Sequence, residues 1–215
     1  MEVKLIIFDW DGTLADSSGR IISAMQKAFS NRGVTTPKAA AVQYVIGLSL
    51  EEAIAHLAAD LPSRTRRSLE NEYREQFALQ AAQTELFNGA RDVLEYFHTR
   101  GLDLAVATGK SLGGLQRALE ETNSAHYFSS IRTADECASK PAPDMLEEIV
   151  FETGHDKRHS IMVGDTTFDL EMARNAGIAS IAACYGAHRR NMLAQYSPLH
   201  LLDSIEELKT TEIFT

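Results

Sequence analysis

Two carboxylates separated by one residue, Asp9 and Asp11, stand at the end of an apolar run, Val3-Lys4-Leu5-Ile6-Ile7-Phe8, and a Gly12-Thr13 turn follows at once. Short apolar, β-branched runs form buried strands, and open α/β sheets place their chemistry in loops at the carboxyl ends of strands. On an extended segment, residues two apart project the same way, so the pair would share one side of that loop. Close like charges need a neutralising partner, usually a cation. Taken alone, the pair could equally cap the strand as an Asx-type turn.

Three further stretches change that balance. Thr108-Gly109-Lys110-Ser111 follows the apolar run 102–107. Lys140-Pro141 follows a weaker strand near 128–133, and Gly164-Asp165-Thr166-Thr167-Phe168-Asp169 follows the run 159–163. Parallel strands would gather Asp9/Asp11, Thr108, Lys140 and Asp165/Asp169 at one sheet edge. Four carboxylates against Lys140 require a divalent cation, and hard oxygen donors select Mg²⁺. Such a site can accept a phosphoryl group. Asp9 could then act as nucleophile, forming an aspartyl-phosphate, and Asp11 could protonate the leaving oxygen and later activate water. The Thr108 hydroxyl and the adjacent backbone N–H of Gly109 could hold phosphoryl oxygens, with Lys140 offsetting their charge.

The elements that must position these residues can be read from periodicity. Ile21, Ile22, Met25, Ala28 and Phe29 fall at helical spacing, closed by Asn31-Arg32-Gly33. Thr36-Pro37 reads as an N-cap and first helical position, opening a short helix that ends near Gly47. Ser49-Leu50-Glu51-Glu52 reads as a capping box, and Pro62-Ser63 opens a longer helix with Leu69, Tyr73 and Phe77 on one face. The α/β rhythm resumes after Asn88-Gly89. A helix at 90–100 is followed by strands near 102–107, 128–133, 159–163 and 178–183, by the helices between them, and by a last short helix at 205–208. The spacing predicts an α/β protein with a Rossmann-like three-layer core and a parallel sheet, residues 1–15 and 86–215, interrupted by an all-helical cap, 16–85.

Composition sets outer limits. The 215 residues carry a net charge of −9, with 44% hydrophobic residues, which argues against a nucleic-acid partner or an anionic membrane surface. No apolar run approaches the roughly 18 residues of a membrane span. Cys137 and Cys184 lie far apart without a CxxC pair and read as small residues of a reducing compartment. A cytoplasmic protein is expected.

The segments Asp9-Trp10-Asp11-Gly12-Thr13-Leu14, Ala107-Thr108-Gly109-Lys110, Lys140-Pro141 and Gly164-Asp165-Thr166-Thr167-Phe168-Asp169 resemble, in order and spacing, the four motifs of the haloacid dehalogenase superfamily. Ala15-Asp16-Ser17, Val45-Ile46-Gly47-Leu48-Ser49-Leu50 and Tyr185-Gly186-Ala187-His188 look most like its phosphoglycolate phosphatase-like members. The resemblance implies Asp9 as nucleophile and metal ligand, and Asp11 as acid/base and as ligand through its backbone carbonyl. It implies Thr108 and Lys140 at the phosphoryl group, Asp165 on the metal, and Asp169 on it indirectly or through water. The implied activity is Mg²⁺-dependent hydrolysis of a small-molecule phosphate ester, phosphoglycolate first. A β-phosphoglucomutase-like transfer, a pyrophosphatase and a nucleotidase are the alternatives.

Around this constellation, Gly47-Leu48-Ser49 reads either as a loop closing over substrate, with Leu48 and Ser49 touching it, or as a plain turn. Arg64, Arg66, Arg67 and Arg74 read as a solvated helix face, with a substrate-steering patch as the alternative. Lys110 reads either as a helix-start residue beside Thr108 or as a phosphate contact, and His188 either as a surface or satisfied loop histidine or as one facing the site.

Overall fold

The computed structural model describes residues 2–80 and 83–214. Its centre is a six-stranded parallel sheet in the order β3-β2-β1-β4-β5-β6, with β1 Leu5–Phe8, β2 Asp103–Thr108, β3 Phe128–Thr133, β4 Ser160–Gly164, β5 Ala179–Ala183 and β6 Leu201–Leu202. β1 is fully buried between β2 and β4. Its alternate residues serve opposite faces, as a two-residue period demands. Ile6 and Phe8 pack with Leu104 and Val106 against α5 (Ala90–Thr99) and α6 (Leu112–Glu121). Leu5 and Ile7 pack with Ala105 and Met162 against α7 (Asp144–Thr153) and α8 (Thr167–Ala176). This gives the three layers expected from strands alternating with helices.

Register fixes where the loops emerge. Phe8 is level with Val106 on one side and Val163 on the other. Asp9, Thr108 and Asp165 therefore leave the sheet at the same edge, within a residue or two of one another.

Between β1 and α5 the chain forms α1 (Ser18–Asn31), α2 (Ala39–Tyr44), α3 (Leu50–Leu57) and α4 (Ser63–Ala78). These helices share an apolar cluster of their own, built on Met25, Phe29, Val42, Ile54 and Leu69. The two chain segments crossing to the sheet run side by side: the Asp16 N–H donates to Glu85 O at 3.0 Å and the Phe87 N–H to Leu14 O at 2.9 Å.

Several local expectations need correction. α2 begins at Ala39 after an extended Lys38 and has no side-chain cap. Pro37 is instead held outside the helix, its carbonyl accepting from Gln26 Nε2 at 3.0 Å. The box at Ser49 is half made. Ser49 Oγ accepts from the Glu52 N–H at 3.2 Å, but the Ser49 N–H donates to Ser139 Oγ at 2.9 Å, so a residue of the loop after β3 takes the place of Glu52. A sixth strand, β6, pairs with β5 through two residues, too few to leave a period. The segment after it, Ile205–Thr210, is a 3₁₀ helix. A short α9, Arg190–Leu193, precedes β6.

Candidate active site

Asp9 follows β1 directly, and its N–H still pairs with Val163 O at 2.9 Å. The strand geometry thus carries one residue into the loop and points a fully buried carboxylate off the sheet edge. Lys140, equally buried, donates to Asp9 Oδ1 at 2.5 Å and to Asp169 Oδ1 at 2.6 Å. Burial works against the ammonium, but Asp169 and Asp9 outweigh it and hold Lys140 above the usual lysine range. Burial raises the Asp9 pKa well above the carboxylate range, against the pull of Lys140 and with help from Asp169 and Asp165. Asp165 is pushed up to about 7, by burial first and then by Asp169, although it accepts from Thr13 Oγ1 at 2.8 Å and the Ala187 N–H at 2.7 Å. Gly12, at φ +96°, passes so close to Asp165 that any side chain there would meet its carboxylate.

Asp169 belongs to this group through a different commitment. Its Oδ2 accepts from the Thr166 N–H at 2.9 Å and Thr166 Oγ1 at 2.7 Å, closing a capping box at the start of α8. Oδ1 takes Lys140. Both oxygens are engaged, so this carboxylate orients the lysine and the helix start.

The side chain of Asp11 lies apart from the other three acids. Its carboxylate receives Lys110 Nζ at 2.9 and 2.8 Å and Ser17 Oγ at 2.6 Å. Three carboxylates converge rather than the four the sequence suggested, because the Gly12-Thr13 turn carries Asp11 toward α1 and the loop after β2. Lys110 and Ser17 are the site residues that the sequence ranked too low or passed over. A lysine two residues after a strand-end threonine was the available signal. Its partner could not be read from the sequence.

Thr108 ends β2, buried, and its Oγ1 accepts the Lys110 N–H at 3.2 Å. Gly109 follows where a Cβ would collide with the carbonyl oxygens of Gly47 and Leu48. The loop 47–49 therefore lies directly on the strand-end segment. Leu48 and Ser49 line, with Asp9, Asp11, Thr108 and Gly109, a cavity of about 490 Å³ between the helices and the sheet edge. Of the four arginines, Arg64, Arg67 and Arg74 are exposed and Arg66 is half-buried. Among them only Arg74 lines this cavity.

His188 is a buried, satisfied loop histidine. Its Nδ1 accepts the Thr167 N–H at 3.0 Å, which leaves Nε2–H to donate to Tyr44 O at 2.8 Å. Burial lowers its pKa, and its ring stacks on Tyr44 at 5.2 Å. It fastens α2 to α8 and stands away from the cavity.

Asp9, Asp165 and Asp169 offer oxygens within 4.8 Å of one another. Asp9 Oδ2 is buried with no hydrogen-bond partner among the described residues. A free buried carboxylate oxygen within an all-oxygen group, facing one ammonium, fits a hard divalent cation.

The haloacid dehalogenase-like hydrolase family model matches residues 6–183. A Dickeya dadantii protein named "probable phosphatase IndB" is 34% identical, over 95% of this chain and 91% of its own. A pyrophosphatase PpaX from Halalkalibacterium halodurans is 25% identical over 97% and 96%. A phosphoglycolate phosphatase of Vibrio parahaemolyticus is 29% identical over 96% and 95%. A solved haloacid dehalogenase-like family hydrolase from Streptococcus pneumoniae superposes with a TM-score of 0.85, at 26% identity, over 97% of each chain. The strand-end acids, the buried lysine and a match spanning nearly the whole sheet agree: the chain belongs to the haloacid dehalogenase-like hydrolases.

Proposed function

We propose that this protein is a Mg²⁺-dependent phosphatase that cleaves a small phosphate monoester through an aspartyl-phosphate on Asp9, with 16–85 acting as a cap over the site. One observation carries the reading: Asp9 has one oxygen pinned by Lys140 and the other free in a buried position beside the cavity. A nucleophile needs such an oriented but uncommitted lone pair.

In this reading the free oxygen of Asp9 attacks phosphorus as the P–O bond to the alcohol breaks. Asp11 delivers its proton to the departing oxygen. Water then gives one of its own protons to the Asp11 carboxylate and attacks the same phosphorus, releasing phosphate and restoring the Asp9 carboxylate. The Thr108 hydroxyl, the Gly109 N–H and Lys140 hold the phosphoryl oxygens, with the charge of Lys140 placed where negative charge builds. Asp9, Asp165 and the Asp11 carbonyl would hold the cation, with Asp169 behind them. When bound, it offsets phosphoryl charge. Loop 47–49, seated on Gly109, closes one side of the site against bulk solvent.

Phosphoglycolate is the reference substrate, and inorganic pyrophosphate is the second, because one relative bears that name. The test is turnover of both with Mg²⁺, in excess chelator, and in Asp9→Asn. Turnover that stops in chelator, returns with Mg²⁺, and is absent from the variant is expected. Full activity in chelator or in Asp9→Asn would refute the reading.

A further inference from the structure

The cavity extends well beyond what a two-carbon acid would fill. At about 490 Å³ it lies within the range that holds whole drug-sized ligands. Away from Asp9, Asp11 and Thr108 its buried wall is apolar: Met25, Val42, Val45 and Ile46 are each at most 4% exposed. The cations on its lining are spent or peripheral. Lys110 is taken by Asp11, Arg74 sits 3.8 Å from Glu70 with its side chain 56% exposed, and Arg117 is exposed. A carboxylate carried against Met25, Val42, Val45 and Ile46 would be desolvated with no cation among those residues, at a substantial cost. That observation argues against phosphoglycolate as the natural ester.

What the chamber does offer is an aromatic wall. Tyr73 and Phe77, one turn apart on α4, both line it, with ring centroids 5.8 Å apart and an interplanar angle of 32°. The Arg20 guanidinium lies 4.7 Å and Lys110 Nζ, itself part of the cavity lining, 5.4 Å from the Phe77 centroid, so two cations hold the ring in place. The Tyr73 hydroxyl makes no hydrogen bond to another described residue, although burial and the nearby Asp11 charge keep it protonated. An unspent donor beside an apolar wall suits a neutral ligand that carries one acceptor.

We infer that the substrate is a phosphate monoester whose alcohol bears a neutral, flat ring system, stacked against Tyr73 and Phe77 with an acceptor toward the Tyr73 hydroxyl. This rests on the phosphatase reading and narrows it, because the ring, rather than the phosphate, would decide which ester is chosen.

The test compares 2-phenylethyl phosphate, ethyl phosphate and phosphoglycolate, all alkyl esters, so leaving-group chemistry does not set the order. In the wild type, kcat/KM for the phenylethyl ester should exceed that for phosphoglycolate by roughly 10–100-fold. In Phe77→Leu, which keeps most of the volume, the phenylethyl-over-ethyl ratio should fall by about tenfold, with Tm checking the fold. Calorimetry with 2-phenylethylphosphonate and phosphonoacetate on the Mg²⁺-loaded wild type gives a second readout that needs no turnover. Stronger binding of the former supports the inference. Preference for phosphoglycolate and phosphonoacetate, or an unchanged ratio in a folded Phe77→Leu, overturns it. If no ester turns over, the phosphatase reading fails, and the phosphonate comparison still decides whether the chamber takes a ring.

Discussion

Lys110 Nζ meets both carboxylate oxygens of Asp11, at 2.9 and 2.8 Å, while Ser17 Oγ holds one of them at 2.6 Å. The proposed proton carrier is thus aimed by a cation that arrives from the end of a neighbouring strand. Lys110→Met removes that aim without touching the sheet. It should lower kcat/KM by roughly 10–100-fold, the cost of a catalytic group displaced by about an ångström, and Lys110→Arg should recover part of the loss. A change confined to KM would move Lys110 from orienting Asp11 to binding substrate.

The two opening aspartates should separate kinetically. Asp11→Asn should slow formation of the intermediate from alkyl esters by the roughly 10²–10⁴-fold of a lost general acid. Nitrophenyl phosphate, whose phenolate leaves without a proton, should largely escape that first penalty, but breakdown still lacks its base. Rapid quench should give a burst of nitrophenol near one per enzyme, with phosphate retained on the protein. Equal slowing of both esters with no burst would refute this division of labour.

Metal and pH should be linked through Asp165. Its pKa in the metal-free protein is raised from an ordinary 3.8 to about 7, so the folded state binds this proton more tightly than the unfolded chain. For this group, stability is fully present below about pH 4, falls as pH rises to about 7, and is level above. A cation needs the carboxylate, so Mg²⁺ should raise Tm little near pH 5 and more near pH 8. Melting curves with chelator and with Mg²⁺ across that span check it. A gap that does not widen with pH would remove Asp165 from the ligand set.

Gly109→Ala tests whether loop 47–49 must rest on the strand end. The added methyl would collide with two backbone carbonyls, at Gly47 and Leu48, and neither can rotate away as a side chain would. The loop must lift. Expected is a fall in kcat/KM of roughly 10²-fold with Tm within a few degrees of wild type, because the apolar clusters are untouched. Unaltered kinetics would mean that the loop's seating has no part in turnover.

Much of this was legible because strands and acids coincide. β1, β2 and β4 are apolar runs that end in chemistry-bearing turns, and parallel pairing alone brings Asp9, Thr108 and Asp165 together. Partners across the helical layer were not legible. The helical period places Tyr73 and Phe77 on one face, but the face is shared between core and cavity, and sequence does not divide it. Alternation along an extended strand would group Asp11 with the other acids, but the extended geometry ends at Trp10, whose carbonyl accepts from the Thr13, Leu14 and Ala15 N–H groups. The cap of α2 was misjudged because Thr36-Pro37 carries the right residue types but is tied down from α1.

Asp9 and Lys140 lie 131 residues apart, and Thr13 and Asp165 152. The central strand is the first made, yet one of its two neighbours, β4, comes from residues 160–164. A growing chain therefore emerges with the proposed nucleophile, Asp9, unplaced, and closing such long separations is slow. The acids meet only when most of the chain exists, so fragments that stop short of β4 can neither gather a cation nor cleave an ester. Activity becomes a property of finished molecules, conferred in the last stage of folding.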